Sequence, residues 1–152
     1  MEKIWIYLSD KVLEGTLLSE IKDRGEAFVK NWKAHENPLN ATFEVLHNRF
    51  LIVKVNEAIF NASGCSIDKL LRFIKELEAD FKIQLLNRLL VACKIDNEIE
   101  VMPSHKVKDV LALGELNENS IVYNTAASNT FEFLNWEQPL KETWLKKYLS
   151  VA

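Results

Sequence analysis

The sequence predicts an α+β fold: a ferredoxin-like βαββαβ core followed by an additional C-terminal α/β segment. Two observations carry this. Two stretches repeat apolar residues at the helical period, and shorter runs between them are rich in β-branched and aromatic residues. Their order is strand, helix, strand, strand, helix, strand, the split βαβ arrangement.

Residues 3–8 (KIWIYL) read as a buried strand. A helix follows, with Leu18, Ile21, Gly25, Phe28, Val29 and Trp32 on one face. Thr16 or Ser19 is expected to cap its start, Asn37-Pro38 to stop it, and Gly25 to allow close packing on a sheet. His35 then falls at the helix end, where a protonated imidazole suits the dipole. Residues 40–55 read as a hairpin turning at His47-Asn48, since asparagine tolerates left-handed angles. The second helix carries Ile67, Leu70, Leu71, Ile74, Leu77 and Phe81 on its apolar face. Residues 88–95 form another buried strand, and Asp96-Asn97 turns it back into EIEVM.

The remainder is an addition. Ser104 is expected to cap a short helix with Val107, Val110 and Leu111 inward, ended by Gly114. SIVYN is a strand, and a last helix holds Leu140, Trp144, Leu145 and Tyr148. With no repeat or linker, residues 1–152 make one domain, with a core over 1–102 and an extension over 103–152. The first and third strands are apolar on both sides. The sheet face without helices therefore needs a cover, either the C-terminal segment or a second subunit in a homodimer.

Composition excludes several classes. At 152 residues the chain is long enough for a real core, and 48% hydrophobic with 27% charged residues is ordinary for a globular protein. A net charge of −3 leaves no basic footprint for nucleic acid. No apolar run reaches the roughly 20 residues of a membrane helix, and the first residues lack the parts of a signal peptide. Cys65 and Cys93 are then expected to be free thiols in the cytoplasm. His35, His47 and His105 show no ligand spacing, so neither a metal nor a cofactor is expected.

The candidate site is the loop at residues 61–68 (NASGCSID), at the start of the second helix. Unpaired N–H groups and the positive dipole end there favour anions and thiolates. Ser63, Gly64, Cys65 and Ser66 form the corner, with Gly64 expected in a special backbone conformation. Arg49 offers a fork for a carboxylate or phosphate, and His35 a second positive group. The bland alternative makes the serines caps and Cys65 a packing residue. Trp5 and Trp32 fit core positions; Trp136 and Trp144 are expected to pack the C-terminal segment onto the sheet.

Six strings, NWKAHENPL (31–39), HNRF (47–50), SGCSIDK (63–69), NRLLVA (87–92), IVYN (121–124) and NWEQPLKETW (135–144), resemble in this order a small bacterial family labelled "ABC transporter ATPase". The likeness covers nearly the whole chain. Glu36 stands where relatives tend to have glycine, and Thr143 where they tend to have serine. The label implies nucleotide hydrolysis, but Gly15, Gly25, Gly64 and Gly114 are too far apart for a phosphate-cradling loop. The function expected from the residues is non-enzymatic binding of a small anionic ligand or a protein partner. The alternative is a thiol-dependent enzyme with Cys65 as nucleophile and His35 as base.

Overall fold

The computed structural model describes residues 2–149. It is an α+β fold built in four layers. The first strand, β1 (Glu2–Leu8), leads into helix α1 (Gly15–Lys30). A minimal hairpin follows, β2 (Lys33–Ala34) and β3 (Asn37–Pro38). Next come β4 (Asn40–Leu46), β5 (Phe50–Asn56) and helix α2 (Gly64–Phe81). The second half holds β6 (Leu90–Ile95), β7 (Glu98–Pro103), α3 (Val107–Ala112), β8 (Ile121–Tyr123), α4 (Thr130–Leu134) and β9 (Glu137–Pro139).

One antiparallel sheet has the order β1-β5-β4, the other β7-β6-β8-β9. Three of the strands expected in one antiparallel sheet, β1, β5 and β4, lie together. The fourth expected member departs: β6 pairs with β7 and β8, and β1 pairs with β5. Alternation explains the departure. Ala92 faces the first sheet, while Val91 and Cys93 pack with Val107, Leu116, Val122, Leu140 and Leu145 beyond. With apolar residues on both sides, β6 is buried between two layers instead of lying at a sheet edge.

The helix layer closes the first face. Leu51, Val53 and Val55 of β5 and Phe43 of β4 pack with Ile21, Val29, Leu70, Phe73, Ile74 and Leu77 of the two helices. Gly25 is needed here, because a Cβ on it would overlap the ring of Phe43. Phe28 stacks on Phe73 at 4.4 Å, and Trp32 meets Trp5 edge-on at 5.9 Å. The opposite face carries Ile4, Leu8, Phe50 and Ile52. It is covered by the second sheet and the C-terminal segment through Ala92, Tyr123, Ala127 and Trp136.

Several local expectations change. α1 begins at Gly15 after Glu14 with no side-chain cap, so neither Thr16 nor Ser19 serves. It ends at Lys30, and His35-Glu36 forms the β2–β3 turn with φ of 49° and 72°. A tight two-residue turn with positive φ at both positions reverses the chain before Asn37-Pro38 is reached. Ser104 does not cap α3; it opens a 3-10 turn, residues 104–106, that runs into it. Gly114, at φ 78°, ends that segment as expected. The expected last helix is instead two 3-10 turns, Leu140–Glu142 and Trp144–Tyr148. Extended Thr143 separates them, and its hydroxyl accepts the Leu145 N–H. Trp136 is buried, whereas Trp144 is 54% exposed beneath the Lys147 ammonium. No helix among the described residues is long and apolar enough to cross a membrane.

Candidate functional site

The start of α2 is closed by its own bonds. Ser63 is the N-cap, its hydroxyl accepting the Ser66 N–H at 3.2 Å. The Ser66 hydroxyl in turn accepts the Ser63 N–H at 2.7 Å and donates to the Ser63 carbonyl at 2.8 Å. This reciprocal box consumes donors that an anion would need. The Ser66 carbonyl accepts the Trp32 indole N–H at 2.8 Å, so the buried Ser66 joins the helix start to the β2 region. Gly64 has ordinary helical geometry with open space around its Cα, so the expected special backbone angle is absent. Cys65 is exposed.

The other two expected members lie apart. His35 is exposed at the tip of the β2–β3 turn. Arg49 is at the opposite end of β5, a strand about 20 Å long at 3.3 Å per residue. Its guanidinium donates to the backbone carbonyls of Asp10 at 2.9 Å and Ser9 at 3.4 Å. Arg49 therefore braces the β1–α1 loop. The cavity that Arg49 lines includes neither His35 nor any residue of the 63–66 corner.

Arg49 does line a cavity, one that long-range packing creates. Two hairpin turns face each other across it: His47-Asn48 between β4 and β5, and Asp96-Asn97 between β6 and β7. All four residues have φ between 51° and 66°. The cavity holds about 560 Å³ and is walled by Val12, His47, Asn48, Arg49, Lys94, Asn97, Glu98, Ile99 and Tyr123. That volume lies within the usual range for small-molecule sites. Among the described residues, its cationic ones are Lys94 and Arg49, with His47 beside them, against the single carboxylate Glu98. Arg49 is held by the two carbonyls through one of its nitrogens, which leaves further N–H groups of the fork for a ligand.

Tyr123 completes the wall. It is buried against Phe50 and Trp136, with ring centroids at 5.2 and 5.0 Å, and His47 lies 5.7 Å away. Its hydroxyl is buried without a hydrogen-bond partner among the described residues. Burial raises its pKa, and Glu137 beside it on β9 raises it further, so at neutral pH the group is a phenol that can donate. The sequence points to Arg49 but places it with the 63–66 corner, and it points to His47-Asn48 as a hairpin turn with no site attached. Lys94, Glu98 and Tyr123 gave no local signal, because β6, β7 and β8 reach this place only through tertiary pairing.

Among the described residues, no group of three or more His, Cys, Asp or Glu side chains is placed to hold a metal ion. No family model, curated protein or solved structure matches the chain, so the reading of this site rests on its geometry.

Proposed function

We propose that this protein binds a small anionic ligand, and that the ligand sits in the cavity between the two hairpin turns. The observation that carries this reading is the wall itself, which presents Lys94, Arg49 and His47 and includes Tyr123, whose buried hydroxyl has no partner among the described residues. An unpaired buried hydroxyl costs about 1–3 kcal/mol, which a ligand oxygen would offset by accepting its proton. The charge excess supplies attraction, and the carbonyl-braced Arg49 supplies orientation.

The reading keeps the cytoplasmic setting expected from two free thiols, and it keeps binding without chemistry. The rival thiol enzyme has weaker support, since no base is hydrogen-bonded to the exposed Cys65 among the described residues. The family label suggests ATP, but a phosphate loop is missing from the sequence, so Mg-ATP should not be hydrolysed.

Calorimetric titration with pyrophosphate and with citrate tests the site. We expect binding by at least one, weakened by added salt, and about tenfold weaker after Lys94→Ala and after Tyr123→Phe. Both variants should keep the native circular-dichroism spectrum. No binding of either anion at millimolar concentration, or binding indifferent to both substitutions, would overturn the reading.

A further inference from the structure

A second feature, independent of the anion cavity, lies on the far edge of β1. The Ser9 N–H donates to the Arg49 carbonyl at 2.7 Å, which places the odd-numbered backbone groups of this segment toward β5. The even-numbered groups point the other way. Ile4 uses its N–H there, donating to the Ser128 carbonyl at 3.0 Å, and Lys3 bridges Asn129 in antiparallel fashion. Beyond that single bridge, β1 pairs with no strand on this side among the described residues. Ile6, half-buried, and Leu8, 6% exposed, therefore have no strand partner on this side among the described residues.

A cavity of about 650 Å³ runs beside this edge, lined by β1 from Lys3 to Leu8. Ile67 and Leu71 of α2, with Leu85, form one apolar wall; residues 125–128 and Trp144 form another. Leu71 and Trp144 are 40% and 54% exposed, an unusual state for large apolar side chains flanking open backbone. Among the described residues, the only charged ones lining the trench are Lys3 and Arg88. Neither forms an ion pair among the described residues, and no carboxylate lines the trench, although the chain has 22 acidic against 19 basic residues.

We propose that this trench receives an extended acidic peptide segment of a partner protein, added as a strand to β1. Main-chain bonds to Ile6 and Leu8 supply the pairing, alternate apolar side chains fill the walls, and flanking carboxylates meet Lys3 and Arg88. The antiparallel bridge at Lys3–Asn129 is the first step of such a ladder, made by the chain itself. Beyond the Ile4–Ser128 bond, Ile6 to Leu8 spans about 7 Å of this edge at 3.3 Å per residue.

The test uses the full chain and three fluorescein-labelled pentapeptides followed by anisotropy. The first is Glu-Val-Thr-Val-Glu. The second carries Lys in place of both Glu. The third is the acidic peptide with two adjacent central amides methylated. We expect the acidic peptide to bind and the basic and methylated ones to be weaker by about tenfold or more. The amides of Ile6 and Leu8 should exchange more slowly in the complex. Arg88→Glu, at an exposed position, should keep the fold and reverse the charge preference. Equal affinity for the acidic and basic peptides, indifference to methylation, or no binding at millimolar concentration would overturn the proposal. So would a concentration-dependent dimer that protects the same two amides, since the edge would then belong to a second copy.

Discussion

The two faces of the β1-β5-β4 sheet are finished differently. The helix face is complete: Gly25 admits the ring of Phe43, Trp32 spends its indole N–H on Ser66, and the box at Ser63 and Ser66 satisfies the start of α2. The opposite face is just as buried, but among the described residues it leaves the Tyr123 hydroxyl unpaired, and it borders a cavity with excess positive charge. Local motifs satisfy themselves, whereas surplus polar capacity arises where distant segments meet. The candidate site therefore lies on the face whose cover comes from the second half of the chain.

The largest expected effect tests how complete the helix face is. Phe43→Ala should cost about 3–5 kcal/mol in urea denaturation, the usual range for emptying a buried aromatic site. Gly25→Ala should cost about 1–3 kcal/mol, because its methyl meets that ring. The double variant should cost less than the two losses added, since removing the ring makes room for the methyl. Strict additivity would mean that Gly25 and Phe43 do not share this space.

The third core, beyond β6, should be the part that feels alkali first. Burial pushes the Cys93 thiol up to about 11, while an unfolded cysteine ionises near 8.5. Between those values the unfolded chain has released its proton and the folded chain still holds it. Stability is therefore full below about pH 8.5, falls as pH rises, and has lost about 2–3 kcal/mol by pH 11. Tyr7 and Tyr123, both raised by burial, extend the loss to higher pH; the positive charge of Arg88 partly counters the shift at Tyr7. Denaturation at pH 7, 9 and 10.5 should show the slope, and Cys93→Ala should flatten it. An unchanged slope in that variant would rule out the thiol as its source. In the native protein a thiol reagent should modify Cys65 and spare Cys93.

This asymmetry also sets what could be read from residues alone. The strands at 3–8 and 40–55, the His47-Asn48 and Asp96-Asn97 turns and both long helices follow from periodicity and turn chemistry within a few residues of chain. The failures came where the outcome depends on distant contacts. β6 looks like a fourth strand of the first sheet until Val91 and Cys93 find a third core, formed by residues 107–149. Residues 140–148 have a helical apolar spacing, but an extended Thr143 breaks it. The short strands β2, β3 and β9 and helix α4 are too brief to carry a period. Arg49 is a candidate in the sequence, but its bonds to the carbonyls of Ser9 and Asp10 hold it at the opposite end of β5 from the loop expected to share it.

A smaller effect probes the start of α2. Ser66→Ala removes the acceptor for the Ser63 N–H and the donor to the Ser63 carbonyl, while leaving the carbonyl that receives Trp32. The expected cost is about 1–2 kcal/mol, within the range for a lost cap. Cys65→Ser on the exposed surface next to it should change stability by less than about 0.5 kcal/mol. A loss from Cys65→Ser as large as that from Ser66→Ala would mean that the thiol is packed, contrary to its exposure.

The smallest expected effect is at Gly64, and it separates a structural glycine from an incidental one. Glycine before a helix suggests a conformation that other residues resist. Yet Gly64 is the first residue of α2, its φ is not in the left-handed region, and a Cβ there meets nothing within 4 Å. Alanine also restricts the unfolded chain more than glycine and has the better helix propensity. Gly64→Ala should therefore be neutral or stabilising by up to about 0.5 kcal/mol. Gly25→Ala, on the other helix, should cost several times more, because there the ring of Phe43 occupies the space. Urea denaturation of the two variants side by side decides it. A loss above about 1 kcal/mol at Gly64 would show that the loop before α2 holds a constraint beyond the Ser63–Ser66 box.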